Sequence, residues 1–108
     1  MDYKLYVNLE EFFLDNFSFD NRDGYIWING KLVEWKTANI HVLNHGLHYA
    51  SCVFEGERAY RGKIFETEKH TKRLFNSAKS LDMKIPFSEK EIIEAKDVLL
   101  KKNSYLNF

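Results

Sequence analysis

The pattern of apolar and polar positions predicts a β-hairpin in the first third of the chain. Residues 25–28 and 31–35 are two short runs rich in apolar side chains, and Asn29-Gly30 separates them. Asn-Gly readily adopts the two positive φ angles of a type I′ turn, which suits two strands with the usual right-handed twist. We expect this hairpin to open the sheet of the domain.

A second hairpin is predicted in the middle of the chain. Its first strand covers residues 52–60, its turn lies at Arg61-Gly62, and its return strand covers residues 63–65. Because side chains alternate between the two faces of a strand, the first strand divides into two sets. One face carries Val53, Glu55, Glu57 and Ala59, and the other carries Phe54, Gly56, Arg58 and Tyr60.

Apolar residues at helical spacing predict a helix over residues 68–82. Leu74, Ala78 and Leu81 recur at i, i+4 and i+7, so we expect them to form its buried stripe. The Lys-Ile-Pro run at 84–86 ends this helix, because proline lacks the N–H that a helix interior needs.

The start of a second helix is defined by its capping residues. Ser88-x-x-Glu91 forms a capping box, and Phe87 and Ile92 occupy the two positions of a hydrophobic staple. The expected inner face consists of Ile92, Ala95 and Leu99, and Lys101 and Lys102 suit the negative end of the helix dipole.

Together these elements predict an α+β domain, an antiparallel sheet packed with two helices, over residues 23–108. Residues 1–22 precede it as an N-terminal extension. Within that extension Leu5, Leu9, Phe12 and Phe13 fall on one side of a helix, so it forms either a short docking helix or a loosely held segment.

Composition narrows the class of partner and the compartment. The 16 basic and 16 acidic residues balance, so no long-range field favours nucleic acid or a membrane, and a small metabolite or a protein surface is the expected partner. No run reaches the apolar length of a membrane span. The single cysteine, Cys52, excludes an intrachain disulfide, which fits the cytoplasm, and we expect it to be a small buried residue.

One spacing suggests a metal site, but the local sequence disfavours it. Four potential ligands follow i, i+4, i+7 and i+11, which would place them along one helix face: His41, His45, His48 and Cys52. Asn44 and Gly46 lie inside that stretch and weaken a helix. We therefore expect no metal, and we interpret the histidines as part of a packed polar loop.

Taken alone, the other candidate residues favour structural roles. Glu55 and Glu57 resemble a solvated or ion-paired couple, and an arginine on a helix, such as Arg73, is most often a surface group. By the same reasoning Phe54 is a core residue of a strand, Gly56 sits at a bulge and Arg58 forms an ion pair at the rim.

A long pattern over most of the chain changes that interpretation. The stretches YIWINGKLVEW from Tyr25, HVLNHGLHYASCVFEGERAY from His41 and HTKRLFNSAKSLDMKIP from His70 resemble the branched-chain amino-acid aminotransferases. These are pyridoxal-phosphate enzymes of fold type IV, the D-amino-acid-aminotransferase-like fold, in which two domains of each subunit enclose the cofactor. The resemblance implies that residues 23–108 form the small N-terminal domain.

The resemblance also implies roles for five residues. Arg73 in HTKRL matches the arginine that binds the cofactor phosphate. Phe54, Gly56 and Arg58 in FEGER match residues on the substrate side of the pyridoxal pocket. Tyr49 matches a tyrosine that reaches into the neighbouring subunit's pocket, which implies a homodimer. The reaction implied is amino transfer between leucine, isoleucine or valine and 2-oxoglutarate, with pyridoxal phosphate as cofactor.

None of the twelve lysines lies in the sequence context of the family's Schiff-base lysine, which belongs to a second domain. We therefore expect this chain alone to be inactive, to hold the cofactor only unstably, and to self-associate through its exposed pocket face. Three alternatives remain: a non-catalytic oligomerising or ligand-binding remnant, a D-amino-acid aminotransferase, and an aminodeoxychorismate lyase. The VFEGxR pattern argues against the last two.

Overall fold

The computed structural model describes residues 20–104, and its first elements are the two strands of a hairpin. Strand β1 (Tyr25–Ile28) pairs antiparallel with β2 (Lys31–Glu34). The turn residues Asn29 and Gly30 have φ angles of 51° and 89°, which confirms the turn that Asn-Gly predicted. A short 3₁₀ turn, Trp35–Thr37, follows.

The second hairpin is much shorter than predicted. Strand β3 (Ala59–Tyr60) pairs with β4 (Lys63–Ile64), and Arg61 and Gly62 form the turn with φ angles of 51° and 79°. The turn prediction is confirmed, but the strand predicted from residue 52 is wrong in length. Across residues 20–104 the two hairpins remain separate two-stranded sheets, so the first hairpin does not open a larger one.

His45 and His48 lie on a short helix, α1 (His45–Tyr49), and His41 precedes it, so the prediction of a packed polar loop is wrong for the two later histidines. Asn44 explains the difference, because its side-chain oxygen accepts hydrogen bonds from the N–H groups of Gly46 and Leu47 at 3.0 and 3.4 Å. The residue that was expected to weaken a helix therefore starts one. Within residues 20–104, no three His, Cys, Asp or Glu side chains are grouped so that they could hold a metal.

Helix α2 (Thr67–Ser80) confirms the first predicted helix to within two residues. Ala78 is buried and Leu74 is half-buried, as expected. Leu81 does not belong to the buried stripe, since the helix ends at Ser80 and leaves Leu81 half exposed at the cap. Thr71 is fully buried although its polarity gave no sign of this.

Helix α3 (Glu89–Asn103) has both hydrogen bonds of the predicted capping box. The Glu91 N–H donates to Ser88 Oγ at 3.1 Å, and the Ser88 N–H donates to Glu91 Oε2 at 3.0 Å. Its expected inner face, Ile92, Ala95 and Leu99, is half-buried, and Lys101 and Lys102 lie in its last turn.

The end of α3 is joined to β1 by two hydrogen bonds of the Asn103 side-chain amide, which we call the amide clamp. The Tyr25 N–H donates to Asn103 Oδ1 at 2.9 Å, and Asn103 Nδ2 donates to the Tyr25 carbonyl at 3.0 Å. At the start of α3, the rings of Trp27 and Phe87 meet edge to face with centroids 5.0 Å apart. The first hairpin thus packs on α3, and α2 packs beside it, which confirms an α+β architecture with small antiparallel sheets.

We expect Asn103→Ala to lower the free energy of unfolding by about 2 kcal/mol, because it leaves both backbone groups of half-buried Tyr25 without their partner. Urea titration of both proteins measures this. Asn76→Ala, on the exposed side of α2, is the matched control and should change stability by less than about 0.5 kcal/mol. Equal effects of the two substitutions would contradict the clamp.

Residues 1–19, which hold the predicted docking helix or loose segment, lie outside the described residues, and the domain boundary between residues 22 and 23 stays a prediction. Within residues 20–104 no helix has the length and hydrophobicity to cross a membrane.

Candidate functional site

The residues between α1 and β3, which we call the 51–58 segment, divide into an inner and an outer face. Ser51, Val53, Glu55 and Glu57 are half-buried, whereas Cys52, Phe54, Gly56 and Arg58 are exposed. The predicted sorting is therefore confirmed from Val53 to Arg58, although no strand ladder forms there. Ala59 is exposed, and Cys52 is exposed too, so the expectation of a buried cysteine is wrong.

The outer face is open. Phe54 is 82% exposed, and a Cβ atom placed on Gly56 would meet nothing within 4 Å. Gly56 is not among the residues with positive φ, so neither the backbone nor the packing of the described residues requires a glycine there. A missing side chain on an open face leaves room for a ligand to approach the backbone closely.

The inner face is tied to α2 by a cluster of three charged or polar side chains. Arg73 donates to Glu55 from Nε at 2.9 and 3.0 Å and from Nη2 at 2.7 Å, which is the fork geometry of a guanidinium on a carboxylate. His70 Nδ1 lies 2.6 Å from Glu55 Oε1, so the proton on Nδ1 is donated to the carboxylate. Only 7% of the Glu55 side chain is exposed.

This cluster shifts two ionisation equilibria. The hydrogen bonds from Arg73, and then from His70, lower the pKa of Glu55 from 4.5 to about 2, against the smaller opposing effect of desolvation. The same pairing raises the pKa of Arg73. Both groups therefore keep their charges near neutral pH.

A second tie runs from the inner face to α3. Lys96 Nζ lies 2.7 Å from Glu57 Oε2 and also donates to Thr71 Oγ1 on α2 at 2.7 Å. The Thr71 hydroxyl in turn donates to the Thr67 carbonyl at 2.6 Å. With the cluster around Glu55, this confirms that Glu55 and Glu57 are ion-paired.

Tyr49 lies on α1, before the 51–58 segment. It ends α1 with 67% of its surface exposed, and its ring packs against the imidazoles of His45 and His48 at centroid distances of 5.1 and 4.8 Å. Within the part of the chain that the structure describes, its ring contacts are thus confined to its own helix.

Comparison with known proteins decides the family. The family model of the class IV amino-transferases matches residues 52–107, which include the outer face, the cluster on α2 and the whole of α3. The chain belongs to the class IV aminotransferases.

Individual relatives and solved structures point to one branch of this family, which confirms the resemblance. A probable branched-chain-amino-acid aminotransferase of Rickettsia bellii is 51% identical over 84 residues, covering 78% of this chain and 29% of that protein. The branched-chain aminotransferase of Thermoproteus uzoniensis, solved with norvaline, superposes with a TM-score of 0.71 at 31% identity. The Escherichia coli enzyme gives 0.68 at 40%. Each superposition covers 76% of this chain and 29% of the other.

This class IV aminotransferase chain thus spans less than a third of the length of the relatives it matches. Its residues nevertheless fit the cofactor's phosphate group. Arg73 is 67% exposed, and its hydrogen bonds to described residues use Nε and Nη2. Nη1 therefore has no hydrogen-bond partner among them, on a guanidinium whose direction Glu55 fixes. A planar, permanently charged donor held in this way suits a phosphate.

Sequence reasoning missed His70, Thr71 and Lys96 as parts of this arrangement. His70 and Arg73 are three residues apart on α2, so their shared face was visible in the sequence, but their partner Glu55 lies 18 residues before Arg73. Thr71 and Lys96 gave no local signal, because the hydrogen bond between them exists only once α2 and α3 pack together.

The acid stability of this class IV aminotransferase chain should depend on Glu55. Its pKa is about 2 in the folded chain and 4.5 without the cluster, so it stabilises the fold fully above pH 4.5, and that contribution is lost as the pH falls towards 2. Glu55→Gln removes the contribution, so we expect the stability gap between wild type and this variant to be narrower at about pH 3 than at about pH 6.

Denaturant titration at the two pH values measures the gap. Glu94→Gln, an exposed carboxylate paired with Lys90, is the matched control, and its gap should be the same at both values. A gap for Glu55→Gln that does not change between the two pH values would contradict the role of the cluster.

Proposed function

We propose that this chain forms the small domain of a pyridoxal-phosphate-dependent branched-chain amino-acid aminotransferase, which moves amino groups between leucine, isoleucine or valine and 2-oxoglutarate. The observation that carries the proposal is the arrangement around Glu55. Its side chain holds the exposed Arg73 guanidinium, while its two sequence neighbours, Phe54 and Gly56, lie on the open outer face.

The roles follow from the chemistry of each side chain. Arg73 binds the phosphate, since a fixed fork of N–H donors matches phosphate oxygens. Gly56 lets the bound molecules approach the backbone. Phe54 forms an apolar wall for branched side chains, and Arg58, exposed on the same face, binds the second carboxylate when glutamate is the amino donor. Pyridoxal phosphate, when bound, supplies the electron sink for amino transfer.

The catalytic lysine, in this proposal, comes from residues other than these 108, so the chain alone neither holds the cofactor stably nor turns over. Tyr49 serves the pocket of a neighbouring subunit in a homodimer of the cytoplasmic enzyme. The high exposure of Tyr49 on α1 supports this role. The apolar residues beside it are also between 63% and 72% exposed: Val42, Leu43 and Leu47. An uncovered apolar surface of this kind favours association.

The proposal can be tested in a chimera. The segment of the Escherichia coli branched-chain aminotransferase that aligns with this chain is replaced by the corresponding residues of this chain, and amino transfer from leucine to 2-oxoglutarate is measured. We expect activity with pyridoxal phosphate bound. A folded dimer that binds no cofactor would instead indicate a non-catalytic module, and one that uses only D-amino acids would indicate a D-amino-acid aminotransferase.

A further inference from the structure

The 51–58 segment is held in place by side chains. Within the part of the chain that the structure describes, the backbone groups of residues 51–57 form no hydrogen bonds, and the first backbone bond is from the Phe65 N–H to the Arg58 carbonyl at 2.7 Å. A segment without a ladder lacks the usual means of fixing which way its side chains face. The inner side chains must therefore set the direction of the outer ones.

Glu57 can set the direction of two outer residues at once, because it lies directly between Gly56 and Arg58. Its carboxylate is 15% exposed, and its partner Lys96 is 17% exposed. Because Lys96 also binds the fully buried Thr71, one ammonium group joins the 51–58 segment to both α2 and α3. An ammonium group has a defined orientation only when several acceptors fix its N–H donors, and here Glu57 and Thr71 are two such acceptors.

The pair is poorly suited to stabilising the fold. Glu57 Oε1 is buried and has no hydrogen-bond partner among the described residues, so the carboxylate loses hydration that the pair only partly replaces. Apolar side chains of similar volume at both positions would serve stability equally well or better. What an apolar pair would not supply is one defined direction for residue 57, and hence for its neighbours.

We propose that Glu57 and Lys96 are positioning residues that fix how Gly56 and Arg58 face the substrate. This inference rests on the proposed function, because it assigns the pair to the substrate side of that same site. Glu55 and Arg73 govern the phosphate side in an equivalent way, from the other half of the segment.

The test uses the 108-residue chain in three forms: wild type, the apolar double variant Glu57→Leu/Lys96→Met, and the charge-swapped double variant Glu57→Lys/Lys96→Glu. Backbone ¹⁵N relaxation gives order parameters for residues 54–58 at a concentration where sedimentation shows a single species. Urea titration of the same samples gives the midpoint of unfolding.

We expect the apolar variant to keep the urea midpoint of wild type, while its order parameters at residues 54–58 fall from about 0.8 to below about 0.6 and the Gly56 amide resonance shifts. The charge-swapped variant should recover part of the order, because it restores an ion pair between the same positions, although a carboxylate at residue 96 cannot donate to Thr71 Oγ1 as the lysine does. If the pair only supported the fold, the apolar and charge-swapped variants would have the same order parameters at equal urea midpoints.

Unchanged order in the apolar variant would overturn the inference. So would a loss of order that accompanies a lower midpoint, because the pair would then support the whole fold and not the direction of one segment. A charge swap that restored none of the lost order would also count against it. None of these results bears on whether the chimera transfers amino groups, so the inference and the proposed function can fail separately.

Discussion

Replacing Arg73 by glutamine in the chimera is expected to weaken pyridoxal phosphate binding by roughly 100-fold, since the variant loses charge-assisted hydrogen bonds to a phosphate. Glutamine keeps part of the side-chain length and polarity but has neither the charge nor the fork of donors. The dissociation constant can be measured from the cofactor's absorbance during titration of the apoenzyme.

Arg61→Gln is the matched control for this prediction. Arg61 is an exposed arginine in the turn between β3 and β4, so its replacement changes the net charge by the same amount and should leave cofactor affinity within about twofold. Equal losses in the two variants would mean that only general charge attracts the cofactor, and an unchanged affinity for Arg73→Gln would remove Arg73 from the site.

Lys96→Met should be the most destabilising single substitution among those considered, lowering the free energy of unfolding by about 3 kcal/mol. The Glu57 carboxylate, which is only 15% exposed, loses its counter-ion, and its Oε1 atom already has no hydrogen-bond partner among the described residues. The Thr71 hydroxyl also loses the ammonium group that donates to it. A buried charge that loses its partner keeps its desolvation cost and loses the attraction that offset it. Urea unfolding followed by circular dichroism measures the difference.

The controls for this prediction come from the same helix and the same pair. Lys90→Met removes an exposed lysine of α3 whose Glu94 partner lies at 3.9 Å, and it should cost less than about 0.5 kcal/mol. Adding Glu57→Leu to Lys96→Met should restore the urea midpoint of wild type, because the uncompensated carboxylate is then gone. If Lys96→Met were as mild as Lys90→Met, the half-buried pair would not carry the charge interaction assigned to it.

Local features of the fold were predictable because short-range chemistry determines them. The Asn29-Gly30 turn and the Ser88–Glu91 capping box each form from neighbouring residues, and the structure confirms both. The failures occur where the outcome depends on distant residues. The strand predicted over residues 52–60 pairs with a described partner strand only at Ala59–Tyr60, so before Ala59 only its alternation of burial survives.

The candidate site divides in the same way. Alternation along the sequence placed Phe54, Gly56 and Arg58 on one face, and the structure confirms that face. The same alternation could not name the partners of the opposite face, because Arg73 and Lys96 reach Glu55 and Glu57 only after α2 and α3 have packed. Spacing along a sequence defines faces, and tertiary packing decides which faces meet.

The most direct measurement of the central claim locates the covalent cofactor. The 108-residue chain and the chimera are each incubated with pyridoxal phosphate, reduced with borohydride and analysed by intact mass and peptide mapping. The proposal that this chain supplies the phosphate and substrate side of a shared pocket predicts one adduct per chimera subunit, on a lysine of the Escherichia coli part, and no stoichiometric adduct on the chain alone. A stoichiometric adduct on one of this chain's own lysines, with leucine to 2-oxoglutarate turnover, would contradict it.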